Sequence, residues 1–246
     1  MGIGVPIAWP ERTTNSYDAM SRYTFSELKQ AYEALGIRNG AIVFVVSSLA
    51  ELFGFEQPGA ESLLFAHKRA LIEAVGRSGT IVTPAASLQL CNTKTAFDPT
   101  TTPSDQVGMF SEYMRKCDGS HRSFHPFVSF SAIGVEAKEI VLDCSRHSFG
   151  LESPMDRMVR QDGICISIGK KPRLTATLIH HVEQMASVPY RYIKEFIHPV
   201  VRNGEIKLEP FYMYVMYQNS DVERSFNAKL FAIEEIENLV TSARVG

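Results

Sequence analysis

Ala41-Ile-Val-Phe-Val-Val-Ser-Ser48 is the stretch whose reading decides the fold. Its apolar residues run without a polar break and include the β-branched Ile42, Val43, Val45 and Val46, so they form a strand with no wet face. A strand covered on both sides needs helices above and below a sheet. Both neighbours supply them. Upstream, Thr24-Phe25-Ser26-Glu27 is a capping box opening a helix whose stripe is Phe25, Leu28, Tyr32 and Leu35, with Gly36 as its stop. Downstream, residues 61 to 75 carry Leu63, Leu64, Leu71, Ile72 and Val75 at helical spacing, and Gly76 precedes a second buried strand, Thr80-Ile-Val-Thr83.

The alternation continues. The sequence predicts a helix over 104–116, a strand over 127–133, a helix over 135–143, a strand over 163–168 and a helix from Thr177. Then the pattern changes: Pro199-Val200-Val201 and Ile206-Lys207-Leu208 flank Asn203-Gly204, the dipeptide of a type I′ turn, and residues 211 to 217 extend the resulting hairpin. The expected class is α/β, a central mixed sheet flanked by helices, with a C-terminal antiparallel hairpin extension. Residues 1–22 read as an irregular N-terminal arm and residues 23–246 as one domain.

Composition narrows the function. The chain has 246 residues, 45% apolar and 21% charged, enough for a sizeable core. A formal net charge of -2 and the lack of a basic stripe argue against a nucleic-acid partner. The N-terminus lacks the pattern of a signal peptide and no apolar run approaches spanning length, so the expectation is a cytoplasmic protein without a membrane partner. Cys91, Cys117, Cys144 and Cys165 form no C-x-x-C pair and read as free thiols, Cys165 as core. No metal site is expected, and a homo-oligomer is left open.

Chemistry concentrates in Thr177-Leu-Ile-His180-His-Val-Glu183. His180 and Glu183 stand three apart and share a helix face. A hydroxyl, a base and an orienting acid are the groups that acyl transfer to an amine uses. His180 and His181 diverge by about 100° on a helix, so they would not share a zinc. A second cluster, Arg122-Ser123-Phe124-His125-Pro126, sets a cation, a hydroxyl and an imidazole before an apolar run. The strand end at Ser47, Ser48 and Leu49 is where an α/β sheet meets its ligand. The long Thr-rich segment 85–103 has the length of a loop with a function.

Phe97-Asp98-Pro99, Thr102-Pro103-Ser104, Gly108, Glu112, the Arg122 cluster, Gly150, Ser153-Pro154 and the Thr177 motif follow in an order that resembles the aminoglycoside 3-N-acetyltransferase family, from about residue 24 to about residue 226. The resemblance implies an acetyl-coenzyme A enzyme that acetylates a primary amine of an amino sugar or aminoglycoside by direct transfer. In it His180 would be the base, Glu183 its orienting acid and Thr177 the donor to the thioester oxygen. Ser47, Ser48, Leu49, Arg122, Ser123 and His125 would hold the coenzyme, His125 being equally readable as structural; Lys170, Lys171 and Arg173 read first as a solvated loop, with a coenzyme phosphate as the alternative. Asp98, Asp105 and Glu112, with Asp221 and Glu223, would face the acceptor. Relatives often carry His before the paired hydroxyls; Val46 stands there in this chain. The alternatives are a strict antibiotic-resistance acetyltransferase and an inactive coenzyme- or sugar-binding protein.

Overall fold

The capping box forms as the sequence requires. The Glu27 N–H donates to Thr24 Oγ1 at 3.2 Å and the Thr24 N–H to the Glu27 carboxylate at 2.7 Å, opening α1 (Phe25–Ala34). A computed structural model describes the chain over residues 23–49, 54–169 and 177–218. The proposed arm over 1–22, the basic run at Lys170, Lys171 and Arg173, and Asp221 and Glu223 lie outside these residues.

The apolar run becomes β1 (Ile42–Ser47), with five of its six residues buried. It lies inside a five-stranded sheet of order β3-β4-β2-β1-β5. Here β2 is Thr80–Pro84, β3 is His121–Arg122, β4 is Phe130–Gly134 and β5 is Ile164–Ile168. β1 runs parallel to β2 and β5, whereas β4 is antiparallel to β2 and β3, so the sheet is mixed. On one face Val43, Val45, Ile81 and Ile166 pack with Leu28 and Tyr32 of α1, Leu71 and Val75 of α2 (Ala60–Val75), and Phe110 and Met114 of α3 (Met109–Lys116). On the other, Phe44, Val82, Phe130 and Ala132 meet Ile140 of α4 (Ala137–Val141) and Met155 and Met158 of α5 (Pro154–Arg160). A separate hairpin follows α6 (Thr177–Met185): β6 (Arg191–Arg202) pairs with β7 (Glu205–Met216) across Asn203 and Gly204, both at positive φ. It packs through Val200 and Phe211 against Phe97 and Phe127.

Three boundaries depart from the sequence reading, each for a local reason. The helix expected from Ser104 starts at Met109, because the Ser104 N–H (2.9 Å) and Oγ donate to the Glu112 carboxylate and Gly108 caps the helix at φ 87°. A Cβ on Gly108 would sit 2.9 Å from the Ser47 carbonyl, so glycine is what lets α3 approach the end of β1. The strand expected from residue 127 begins at Phe130, since His125 Nδ1 accepts from the Phe127 and Val128 N–H groups and holds them in a turn. α5 was not anticipated, although Ser153 caps it by accepting from the Asp156 N–H and Pro154 opens it, an ordinary start signal. Cys165, expected in the core, is exposed because β5 is an edge strand.

His67 of α2 is fully buried, its Nδ1 2.5 Å from the Tyr32 hydroxyl and its Nε2 3.4 Å from that of Tyr23. Burial pushes its pKa down to about 4. The unfolded chain therefore takes up a proton near pH 6.5 that the folded chain refuses, and stability must fall as pH drops from about 6.5 towards 4. Urea unfolding at pH 7 and pH 4.5 checks this. The parent protein should lose about 2 kcal/mol more over that interval than His67→Gln, and identical losses would remove His67 as the cause.

Candidate active site

α6 carries the reactive groups because its turns put positions three apart on one face. His180 Nδ1 lies 3.1 Å from Glu183 Oε2, and Thr177 stands one turn earlier at the helix start, where the unpaired N–H groups favour developing negative charge. The carboxylate accepts, so Nδ1 carries the imidazole proton and Nε2 is the atom left to take one. The side chain of His180 is 37% exposed, open enough to meet a substrate, while that of Glu183 is 15% exposed.

The loop before α5 fixes the ring from behind. The Phe149 ring lies 5.4 Å from that of His180. Gly150, at φ 88°, lets this loop touch the helix: a Cβ there would fall 2.4 Å from Gln184 Nε2. His181 turns inward instead. Its Nδ1 accepts from the Gly150 N–H at 3.3 Å and Nε2 faces Asp156 at 3.9 Å, with burial lowering its pKa against the opposing pull of Asp156. One imidazole is open and its neighbour is a packing residue, as the helical angle requires. Leu178 of α6 and Val46 of β1 pack on the same core cluster, so the helix sits against the β1 side of the sheet. Val46 serves here as packing.

The end of β1 lies beside β5, with Ser47 opposite Ile168 and the Ser48 N–H donating to the Ile168 carbonyl at 2.8 Å. Ser47 and Leu49 are buried and Ser48 half-buried. The Ser47 hydroxyl is buried without a hydrogen-bond partner.

The second cluster is a brace. Arg122 is 7% exposed and donates to Ser129 Oγ (2.9 Å), Ser87 Oγ (2.6 Å) and the carbonyls of Ala85 (2.5 Å) and Thr102. Phe97 stacks on its guanidinium at 5.0 Å. Burial, reinforced by Arg115, brings its pKa down to about 10, so it stays charged at neutral pH. Arg122, expected to offer its fork to a coenzyme phosphate, here directs its Nε, Nη1 and Nη2 donors to Ser129 and to the 85–103 loop. Ser123 is buried and its Oγ accepts from the Phe130 N–H at 2.9 Å. His125 is buried between Phe127 and Phe211, and burial drives its pKa down to about 3. The ring is enclosed, and burial favours its neutral form.

The acidic residues divide in the same way. Glu112 accepts from Arg115 Nε at 2.8 Å and from Nη2 at 2.7 Å, and pairs with Lys116 at 3.0 Å. Burial opposes its charge, yet Arg115, Ser104 and Lys116 hold its carboxyl well below the usual carboxylate range. Asp98 Oδ1 accepts from the Thr100 hydroxyl at 2.6 Å and its N–H at 2.8 Å, which lowers its pKa. Asp105 keeps a half-buried carboxylate three residues before Gly108, touched by Gln106 Nε2 at 3.3 Å. Among the described residues no three His, Cys, Asp or Glu side chains gather to hold a metal ion, and no helix is long and apolar enough to cross a membrane.

Sequence spacing did not reveal Tyr190, Arg191 and Tyr214. The Tyr190 hydroxyl donates to Glu183 Oε1 at 2.9 Å, Arg191 Nε lies 2.8 Å from Oε2, and the Tyr214 hydroxyl donates to the Glu183 carbonyl at 3.0 Å. These contacts cross from the hairpin to α6, and no local pattern encodes them.

Comparison with known proteins identifies the family. The chain is 26% identical over 200 residues to aminoglycoside N(3)-acetyltransferase IX of Micromonospora chalcea, covering 74% of this chain and 69% of that protein. It is 28% identical over 208 residues to a prophage-derived aminoglycoside N(3′)-acetyltransferase-like protein of Bacillus subtilis (strain 168), covering 74% and 73%. Among solved structures, AAC-VIa bound to sisomicin superposes with a TM-score of 0.67 at 27% identity, over 79% of this chain and 77% of that one. AAC-IIIb in binary complex with CoASH shares the fold, with a TM-score of 0.71 at 22% identity over 89% and 85%. The sequence model of the family matches residues 44–246, and the chain belongs to the aminoglycoside 3-N-acetyltransferase family.

Proposed function

We propose that this protein is an acetyl-coenzyme A-dependent N-acetyltransferase that acetylates a primary amine of an amino sugar, with His180 as general base. The observation that carries the reading is the 3.1 Å contact between His180 Nδ1 and Glu183, which orients a half-exposed imidazole with Nε2 outward in a chain of this family. Named relatives are aminoglycoside N(3)-acetyltransferases, and structural neighbours hold CoASH or sisomicin.

An ammonium has no lone pair, so it first gives one proton to solvent; Nε2 of His180 then takes a second proton from the nitrogen as the neutral amine forms the N–C bond at the thioester carbonyl. Glu183 stabilises the imidazolium that results, the role an orienting carboxylate plays beside a basic histidine. Thr177 donates to the thioester oxygen as charge develops there, at the start of α6 where the helix dipole adds to it. The C–S bond then breaks, and the coenzyme thiolate leaves and is protonated. No acetyl-enzyme forms, and no metal takes part. The coenzyme meets the end of β1, where Ser47, Ser48 and Leu49 stand, and Asp105, whose carboxylate meets only Gln106 among the described residues, is assigned to the acceptor.

His180→Ala should lower turnover by about two orders of magnitude or more, because a base acts in the chemical step, with coenzyme affinity nearly unchanged. Glu183→Gln should cost less. Thiol release from acetyl-coenzyme A with saturating acceptor measures both. Wild-type turnover in His180→Ala would remove the base assignment, and no thiol release with any amine would make the protein a binder.

Of the acceptor carboxylates among the described residues, Glu112 and Asp98 are engaged in internal contacts, which leaves Asp105 to reward a polycation. A mono-amino sugar, free or nucleotide-linked, should therefore be at least as good an acceptor as a tetracationic aminoglycoside. The aminoglycoside kcat/KM should fall only a few-fold, roughly, between low and physiological ionic strength. A strong aminoglycoside preference that collapses with salt would overturn this choice and favour the antibiotic-resistance reading.

A further inference from the structure

Two cationic or protonated groups share one carboxylate oxygen in this site. His180 Nδ1 lies 3.1 Å from Glu183 Oε2 and Arg191 Nε lies 2.8 Å from the same atom, so the two nitrogens stand within about 6 Å of each other. The Arg191 contact lacks hydrogen-bond geometry, so the guanidinium acts there through its charge. It is largely enclosed, 12% exposed, and lies over the Tyr214 ring at 5.5 Å, which denies it an easy escape to solvent. Tyr190 holds the other oxygen at 2.9 Å.

We propose that Arg191, supported by Tyr190, is a positioning residue that sets the basicity of His180: its charge on the shared oxygen limits how firmly Glu183 can hold a second proton on the imidazole. This rests on the reading of His180 as the base. An orienting carboxylate alone creates a conflict. It fixes the ring, but its negative charge also favours imidazolium, the form that cannot accept a proton. A cation on the same carboxylate keeps the orientation and cancels part of that field, so the ring is held in place without the full pull towards imidazolium.

The other charged groups around the ring do not supply this balance. His181, on the same helix, turns away towards Gly150 and Asp156, and Asp156 is itself paired with Arg160 at 3.1 Å. The loop before α5 presents the Phe149 ring, and β7 presents the Tyr214 hydroxyl, which is used on the Glu183 backbone carbonyl. The Tyr190 hydroxyl is neutral, and its bond to Glu183 raises its own pKa, keeping it protonated as a donor. Among the described residues, Arg191 is the cation that reaches the pair.

The test is titration of the His180 imidazole by nitrogen-15 NMR, together with the pH profile of kcat, in the parent protein, Arg191→Met, Arg191→Lys and Tyr190→Phe. A unit charge at this range in a half-exposed site moves an imidazole by about half to one pH unit. Removing the cation raises the pH at which the ring loses its proton. Arg191→Met should therefore titrate that much higher, lose about two- to fivefold in kcat at pH 7, and recover by about pH 9. Arg191→Lys, which keeps the charge, should stay close to the parent, and Tyr190→Phe should lower kcat with a smaller movement of the titration. An unmoved imidazole in Arg191→Met, or a loss of kcat equal at all pH values, overturns the proposal. If Arg191→Met unfolds, Arg191→Lys decides, since parent-like folding with a displaced titration would equally refute a role for charge. Failure of the base reading is separate, because it would appear as wild-type turnover in His180→Ala whatever Arg191 does.

Discussion

The Glu183 carboxylate is the junction on which the site depends. It receives His180 from its own helix, Tyr190 from the turn before the hairpin and Arg191 from the first residue of β6, while its backbone carbonyl accepts from Tyr214 of β7. A helix of nine residues is too short to hold its own geometry in water. The hairpin therefore does more than extend the fold: it supplies the tertiary contacts that keep α6 in register with the sheet. Loss of any one contact leaves a half-buried carboxylate with less compensation, which is why such groups are expensive to disturb.

A second constraint shapes the surroundings. The long segment 85–103 has little regular structure of its own, yet it is anchored from within by Arg122, which reaches Ala85, Ser87, Thr102 and Ser129. A buried guanidinium must spend its donors on oxygen atoms, and a loop folded around it supplies carbonyls and hydroxyls that would otherwise need water. The same economy accounts for His125, whose Nδ1 accepts two backbone N–H groups at a turn. Residues that resemble a phosphate clamp in sequence thus form the frame of a loop that leads to Gly108, where α3 closes on the end of β1.

Electrostatic pairing also distributes the acidic residues unevenly. Glu112 is balanced by Arg115 and Lys116, and Glu209 by Arg146 and Arg202, so their charge contributes little field to an open cleft. Asp98 is bound into a turn by Thr100. The net charge of -2 therefore overstates what a cationic substrate would meet near α3.

The sequence by itself determined the alternation of helices and buried strands, the capping box at Thr24, the Asn203-Gly204 turn and the facing of His180 and Glu183. Each of these is a property of residues a few positions apart, governed by helical or strand periodicity and by turn chemistry. Where local capping or turn bonds compete with periodicity, as at Ser104 and His125, boundaries moved by a few residues. Tertiary structure alone decided which polar groups remained available. Arg122 found partners far along the chain, Glu112 on its own helix and at Ser104, and His125 in the turn that follows it; burial lowers the pKa of Arg122 and His125, whereas hydrogen bonds hold Glu112 charged against burial. Arg191 met Glu183 only because a two-stranded sheet folds back against α6. Spacing can place two groups on one face, but whether a charge is spent or free depends on contacts between distant segments, and those follow from packing.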